Sequence, residues 1–84
     1  MNRLTVGNIA VEAQRAVRQN NLDYGNRVIM LVDEIVASGN LSYGGIKEML
    51  RVREILCDFF YNGATQYLDS TINHLMKFAF MERA

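Results

Sequence analysis

Proline and tryptophan are absent from this chain, cysteine and histidine occur once each, and nine basic side chains cancel nine acidic ones. Each shortage excludes something. Without proline the strongest helix breaker is missing. Cys57, standing alone, excludes an internal disulfide and argues against a stapled secreted domain, so a reducing cytoplasm is the expected setting. One Cys and one His cannot build a structural zinc tetrad, and neither His-Glu-x-x-His nor Glu-x-x-His spacing occurs, so no metal and no cofactor is expected. Balanced charge supplies no overall field to draw the protein onto nucleic acid or an anionic membrane. The longest unbroken apolar run, Val28 to Val32, is far short of the roughly 20 residues that span a bilayer, and no basic-then-apolar leader is seen. The chain is therefore read as soluble.

Catalytic constellations are equally scarce. A nucleophile would have to be Cys57 or a serine, with His74 as the base. The better reading makes Cys57 a small buried hydrophobe and His74 a solvated or hydrogen-bonded surface residue. Gly44-Gly45 is the nearest approach to a phosphate-binding loop, but it lacks the strand and lysine that such loops carry and reads as a helix entry. Asp33 and Glu34 are adjacent and point apart; Glu54 and Asp58, four residues apart and near Arg51, read as solvated helix surface. No catalytic residue is assigned, and the protein is expected not to be an enzyme.

What the chain has in quantity is apolar surface: half its residues are hydrophobic, and four Tyr and four Phe are among them. A folded monomer of this mass exposes roughly 5,000 Å² and buries only about 60 to 70% of what its unfolded form exposes. One domain with one core is all that fits, and part of the apolar surplus is expected to meet another protein chain.

Helical spacing runs through the whole sequence. Val6, Ile9, Ala10, Ala13, Ala16 and Val17 recur at intervals of three and four, which predicts a helix over about 6–20 with a small-residue face. A second helix is expected from about Asp23 to Ala37, capped near Asn21 or Asp23 and stopped by Gly39. It is apolar over most of its circumference, which makes it the expected centre of a bundle; a buried strand over Arg27–Val32 is the competing reading. Residues 38–45 form a loop in which Ser42 caps a third helix, with Ile46, Met49, Leu50, Leu56, Phe59 and Phe60 inward and Lys47, Glu48, Arg51, Glu54 and Asp58 outward. Asn62-Gly63 reads as a helix-to-helix joint, followed by a fourth helix from about Ala64 to Met81 with Tyr67, Leu68, Ile72, Leu75 and Ala79 as its stripe. Met76, Phe78, Phe80 and Met81 lie partly off that stripe, marking the C-terminal helix as a candidate surface for self-association.

The expected fold is thus all-α: a single domain, a small bundle of three to four helices around Val28, Leu31, Ile35, Leu50, Leu56, Phe60, Leu68, Ile72 and Leu75, working as a homodimer or higher oligomer. Seven of the nine cations are Arg, the usual cation of protein interfaces and of phosphate contacts alike. The leading functional expectation is a non-enzymatic protein-binding module, an inhibitor, antitoxin or adaptor that occupies a surface of a larger protein. Tyr43, Arg51, Arg53, Tyr61, Phe78 and Phe80 are its candidate anchors. In general style the chain resembles the small accessory proteins with which phages and mobile elements redirect host machinery, a likeness of class and not of motif. A helical DNA-binding regulator is the alternative, with Arg15, Arg18, Arg51 and Arg53 on phosphates; the loop over 38–45 is long for the turn of a helix-turn-helix. A ligand pocket formed between subunits is the third reading. A membrane-surface role for the C-terminal helix is disfavoured, because Lys77 and Arg83 are balanced by Asp69 and Glu82.

Overall fold

The computed structural model describes the backbone of residues 5–83 and the side chains of residues 5–78. Four helices follow one another: α1 (Val6–Gln19), α2 (Leu22–Ala37), α3 (Tyr43–Asn62) and α4 (Leu68–Arg83). No strand occurs among the described residues, so the stretch over 27–32 is helix despite its β-branched content. The local signals explain the boundaries. Thr5, Asn21 and Ser42 each accept the backbone N–H three residues on, at 3.1, 3.0 and 3.0 Å, closing the first turns of α1, α2 and α3.

The joint between α1 and α2 takes two residues. Asn20, in the left-handed region at φ 48°, ends α1 by donating its N–H back to Ala16 and Val17, and Asn21 at once starts α2. Asparagine is one of the few side chains that tolerates that conformation. α2 ends with Ser38, whose hydroxyl donates to the Ile35 carbonyl at 2.6 Å, just before Gly39 at φ 76°. α3 ends at Gly63, also left-handed, with Gly63 N–H on Phe59 O and Ala64 N–H on Asp58 O, both at 3.1 Å. The fourth helix begins four residues later than its spacing suggested. Residues 64–67 form a turn that ends on Tyr67 at φ 66°, so Tyr67 precedes α4 and is 66% exposed instead of lining its inner stripe.

α1 packs against α2 and α4 and, across the diagonal, touches α3; α2 and α4 have no contact among the described residues. The diagonal pair α1 and α3 each meet all three other helices, so the more hydrophobic α2 is not the centre of the bundle. On α1, Ala10, Ala13 and Ala16 are fully buried with Ile9, and their small side chains let the neighbouring helices approach closely. Val28, Val32 and Ile35 of α2, Met49, Val52 and Leu56 of α3, and Leu75 of α4 complete the main cluster.

Two core assignments change. Leu50 is 51% exposed, whereas Val52, two residues on and so on the other side of the helix, is buried. Gly45, Met49, Val52 and Leu56 follow one another at four, three and four residues and define the inner face of α3, which leaves Leu50 on the far side. Leu31 and Phe60 are half-buried against the cluster. Leu68 and Ile72 are buried as expected, and so is Thr71 between them.

Candidate interaction face

The inner register of α3 determines what its outer face presents. With Gly45, Met49, Val52 and Leu56 turned inward, Tyr43, Lys47, Leu50, Glu54 and Tyr61 fall together on the opposite side, at spacings of four, three, four and seven. Tyr43, Leu50 and Tyr61 are 70, 51 and 59% exposed. Lys47 holds its ammonium 5.6 Å from the centre of the Tyr43 ring, a cation–π contact on the surface.

A matching edge runs along α2, where Leu22, Asn26, Met30 and Asp33 recur at four, four and three residues, with Leu22 and Met30 44 and 62% exposed. Two polar bridges tie the edges together. Tyr61 donates its hydroxyl to the side-chain oxygen of Asn26, and Arg53 Nε donates to Asp33 Oδ1 at 2.8 Å. Beneath them Phe60 lies against Gly25, with its ring edge-on to Phe59 at 4.9 Å. Asp33 holds the Arg53 guanidinium in its charged form, raising its pKa. Of the six large hydrophobic side chains that stand exposed among the described residues, five are on this α2–α3 face; the sixth is Tyr67.

The candidate anchors distribute unevenly. Tyr43 and Tyr61 stand on the face, and Arg53 borders it with its charge engaged by Asp33. Arg51 points the other way, into an open groove of about 340 Å³ between α3 and α4 lined by Arg51, Glu54, Ile55, Tyr67, Ser70 and Thr71. Phe78 is half-buried and packs on the core close to Gly44, which turns it away from solvent. The side chain of Phe80 lies outside the described residues, as does Arg3. Leu22, Met30 and Leu50 are not among the candidate anchors, and Leu50 is expected in the core, because leucines and methionines on an amphipathic helix are ordinarily core.

Among residues with chemistry, His74 Nε2 lies 3.1 Å from Glu48 Oε1, joining α4 to α3 on the side away from this face. Glu48, expected outward, is mostly covered, and its second carboxylate oxygen is buried without a partner among the described residues. Cys57 is half-buried against the core, with Arg53 Nη1 at 4.0 Å from its sulfur. Tyr24 donates its hydroxyl to Glu12, and that bond to a carboxylate raises the phenol's pKa. No group of three or more His, Cys, Asp or Glu able to hold a metal ion occurs among the described residues. No helix among the described residues is long and apolar enough to cross a membrane. Comparison of the chain with protein-family models, with curated proteins and with solved structures finds no match.

Proposed function

We propose that this chain is a non-enzymatic protein-binding module whose contact surface is the outer side of α2 and α3. The observation that carries the reading is the gathering of Leu22, Met30, Tyr43, Leu50 and Tyr61, 44 to 70% exposed, on that one side. Protein interfaces combine such a patch with a polar rim, and a few aromatic and arginine anchors dominate their energy. Asn26, Asp33 and Arg53 supply the rim here. Tyr43 and Tyr61 are the anchors best placed to act, one near each end of α3, and both rings are restrained before any partner arrives. Restraint lowers the ordering cost of binding.

Such a module serves as an inhibitor, antitoxin or adaptor, covering part of a protein surface and needing no chemistry of its own. The duplex-binding alternative draws less support. Of its four arginines, Arg53 is spent on Asp33 and Arg15 lies 3.5 Å from Glu12. The test is affinity capture with the Tyr43→Ala/Tyr61→Ala double variant beside wild type. Loss of protein partners with an unchanged helical circular dichroism spectrum is the expected result; retention of every partner removes the reading.

A further inference from the structure

The exposed patch on α2 and α3 has a charge pattern that is complementary to itself. Along the outer face of α3, Leu50 is preceded three residues earlier by Lys47 and followed four residues later by Glu54. Within one chain Lys47 and Glu54 are two turns apart, and Lys47 is engaged with the Tyr43 ring. When two α3 helices cross antiparallel about a two-fold axis beside Leu50, each Lys47 comes level with Glu54 of the other copy. The operation makes two ion pairs and sets the two leucines against each other.

The α2 edge fits the same operation. Asn26 meets Tyr61 and Asp33 meets Arg53, so Met30, midway between them, lies level with Cys57 on α3. The two-fold that joins Lys47 to Glu54 then places Met30 next to Tyr43 of the second copy, a thioether against an aromatic ring. We infer that the occupant of this face is a second copy of the chain, docked α3 to antiparallel α3 about Leu50. The inference rests on the protein-binding reading and names the partner of the same face.

The area is sufficient. At roughly 200 Å² for a large side chain, five exposures of 44 to 70% amount to about 600 Å². Lys47, Glu54 and the half-covered Cys57 extend the patch toward the ~800 Å² per partner of a standard interface. Isologous two-fold contacts are also the commonest way in which soluble chains associate.

Charge reversal tests the arrangement, because every side chain changed is on the surface and the bundle stays folded. Sedimentation equilibrium of the wild type is expected to give twice the 9.6 kDa chain mass. Lys47→Glu alone and Glu54→Lys alone each set like charges across the axis at two places, and each is expected to weaken the dimer at least tenfold. The double variant Lys47→Glu/Glu54→Lys restores both pairs in exchanged positions and returns the dimer. Mixing the two single variants does the same and yields a heterodimer. A wild type that stays monomeric at millimolar concentration, single variants that dimerise as well as wild type, or a double variant that is not rescued overturns the inference. The broader reading fails separately: a monomeric chain that still loses a foreign protein partner on Tyr43→Ala/Tyr61→Ala keeps its protein-binding role and loses only self-association.

Discussion

Replacing Gly25 with alanine ought to stabilise an ordinary helix, and in this bundle it is predicted to do the opposite. Gly25 has no left-handed backbone to protect, so alanine is conformationally acceptable and by propensity alone would gain up to about 1 kcal/mol. Space decides the sign. A Cβ at this position would stand 2.5, 2.6 and 2.8 Å from three carbons of the Phe60 ring, against the roughly 3.5–4.0 Å of a relaxed carbon contact. The ring would have to retreat by about 1 Å, yet it is wedged edge-on against Phe59 and packed on the core. Overpacking of that degree costs about 1–3 kcal/mol, which against the full propensity gain leaves a net loss of up to about 2 kcal/mol. At 4–8 °C per kcal/mol for a domain of this size, Tm falls by up to about 15 °C. Thermal unfolding followed by circular dichroism reads this directly, and Gly44→Ala is the matched control. Gly44 is also in a first helical turn, but its Cβ would meet Phe78 at 3.7 and 3.8 Å, so that variant should be neutral or slightly more stable. In a Phe60→Leu background the penalty at position 25 should shrink or reverse, exposing the coupling between the two sites. A Gly25→Ala protein that melts at or above the wild-type temperature would refute the reasoning.

Other expectations follow from the same geometry. Leu56→Ala, at a fully buried position of the main cluster, should cost about 2–5 kcal/mol by chemical denaturation, while Leu50→Ala should leave the monomer's stability within about 0.5 kcal/mol. Asn21→Ala and Ser42→Ala should each cost about 1 kcal/mol through loss of the first-turn acceptor, read from urea midpoints. Tyr24 should deprotonate above the ordinary 10.0 of a free phenol, because its O–H donates to Glu12. Its contribution to stability is then complete below pH 10 and lost as pH rises through the raised value; Tyr24→Phe should remove a component of the tyrosinate absorbance titration that lies above pH 10.

How much of this was legible without coordinates depended on whether a residue's role is set locally. The ends of α2 and α3 follow from Asn21, Ser42, Gly39 and Gly63, and caps act within one turn. The start of α4 is different: no cap residue marks it, and the turn that delays it is held by Tyr67 in a conformation that tyrosine seldom adopts. The inward turn of Glu48 toward His74 was also illegible, since a glutamate between a lysine and a methionine reads as solvated until a second helix arrives to cover it. On α3 the exchange of Leu50 for Val52 is instructive. Hydrophobicity favours the leucine, but the register is fixed by the unbroken series Gly45, Met49, Val52, Leu56, and a neighbour one position off such a series has nowhere inward to point.

The same series explains why the candidate face exists at all. On α1 the buried positions are taken largely by small residues, Ala10, Ala13 and Ala16, and α2 and α3 each add a buried glycine, Gly25 and Gly45. Small residues let helix axes approach closely, and close axes leave little volume for long side chains between them. A half-hydrophobic chain that gives three core positions of α1 to alanine has large apolar groups left over, and α2 and α3 carry five of them on their outer side. Two of the three exposed aromatic rings among the described residues, Tyr43 and Tyr61, are held there by a lysine and an asparagine. Composition alone showed that there was a surplus of apolar surface. Its collection on a single face, with charges of opposite sign on either side of Leu50, comes from the register of α3, which the buried series Gly45, Met49, Val52 and Leu56 defines.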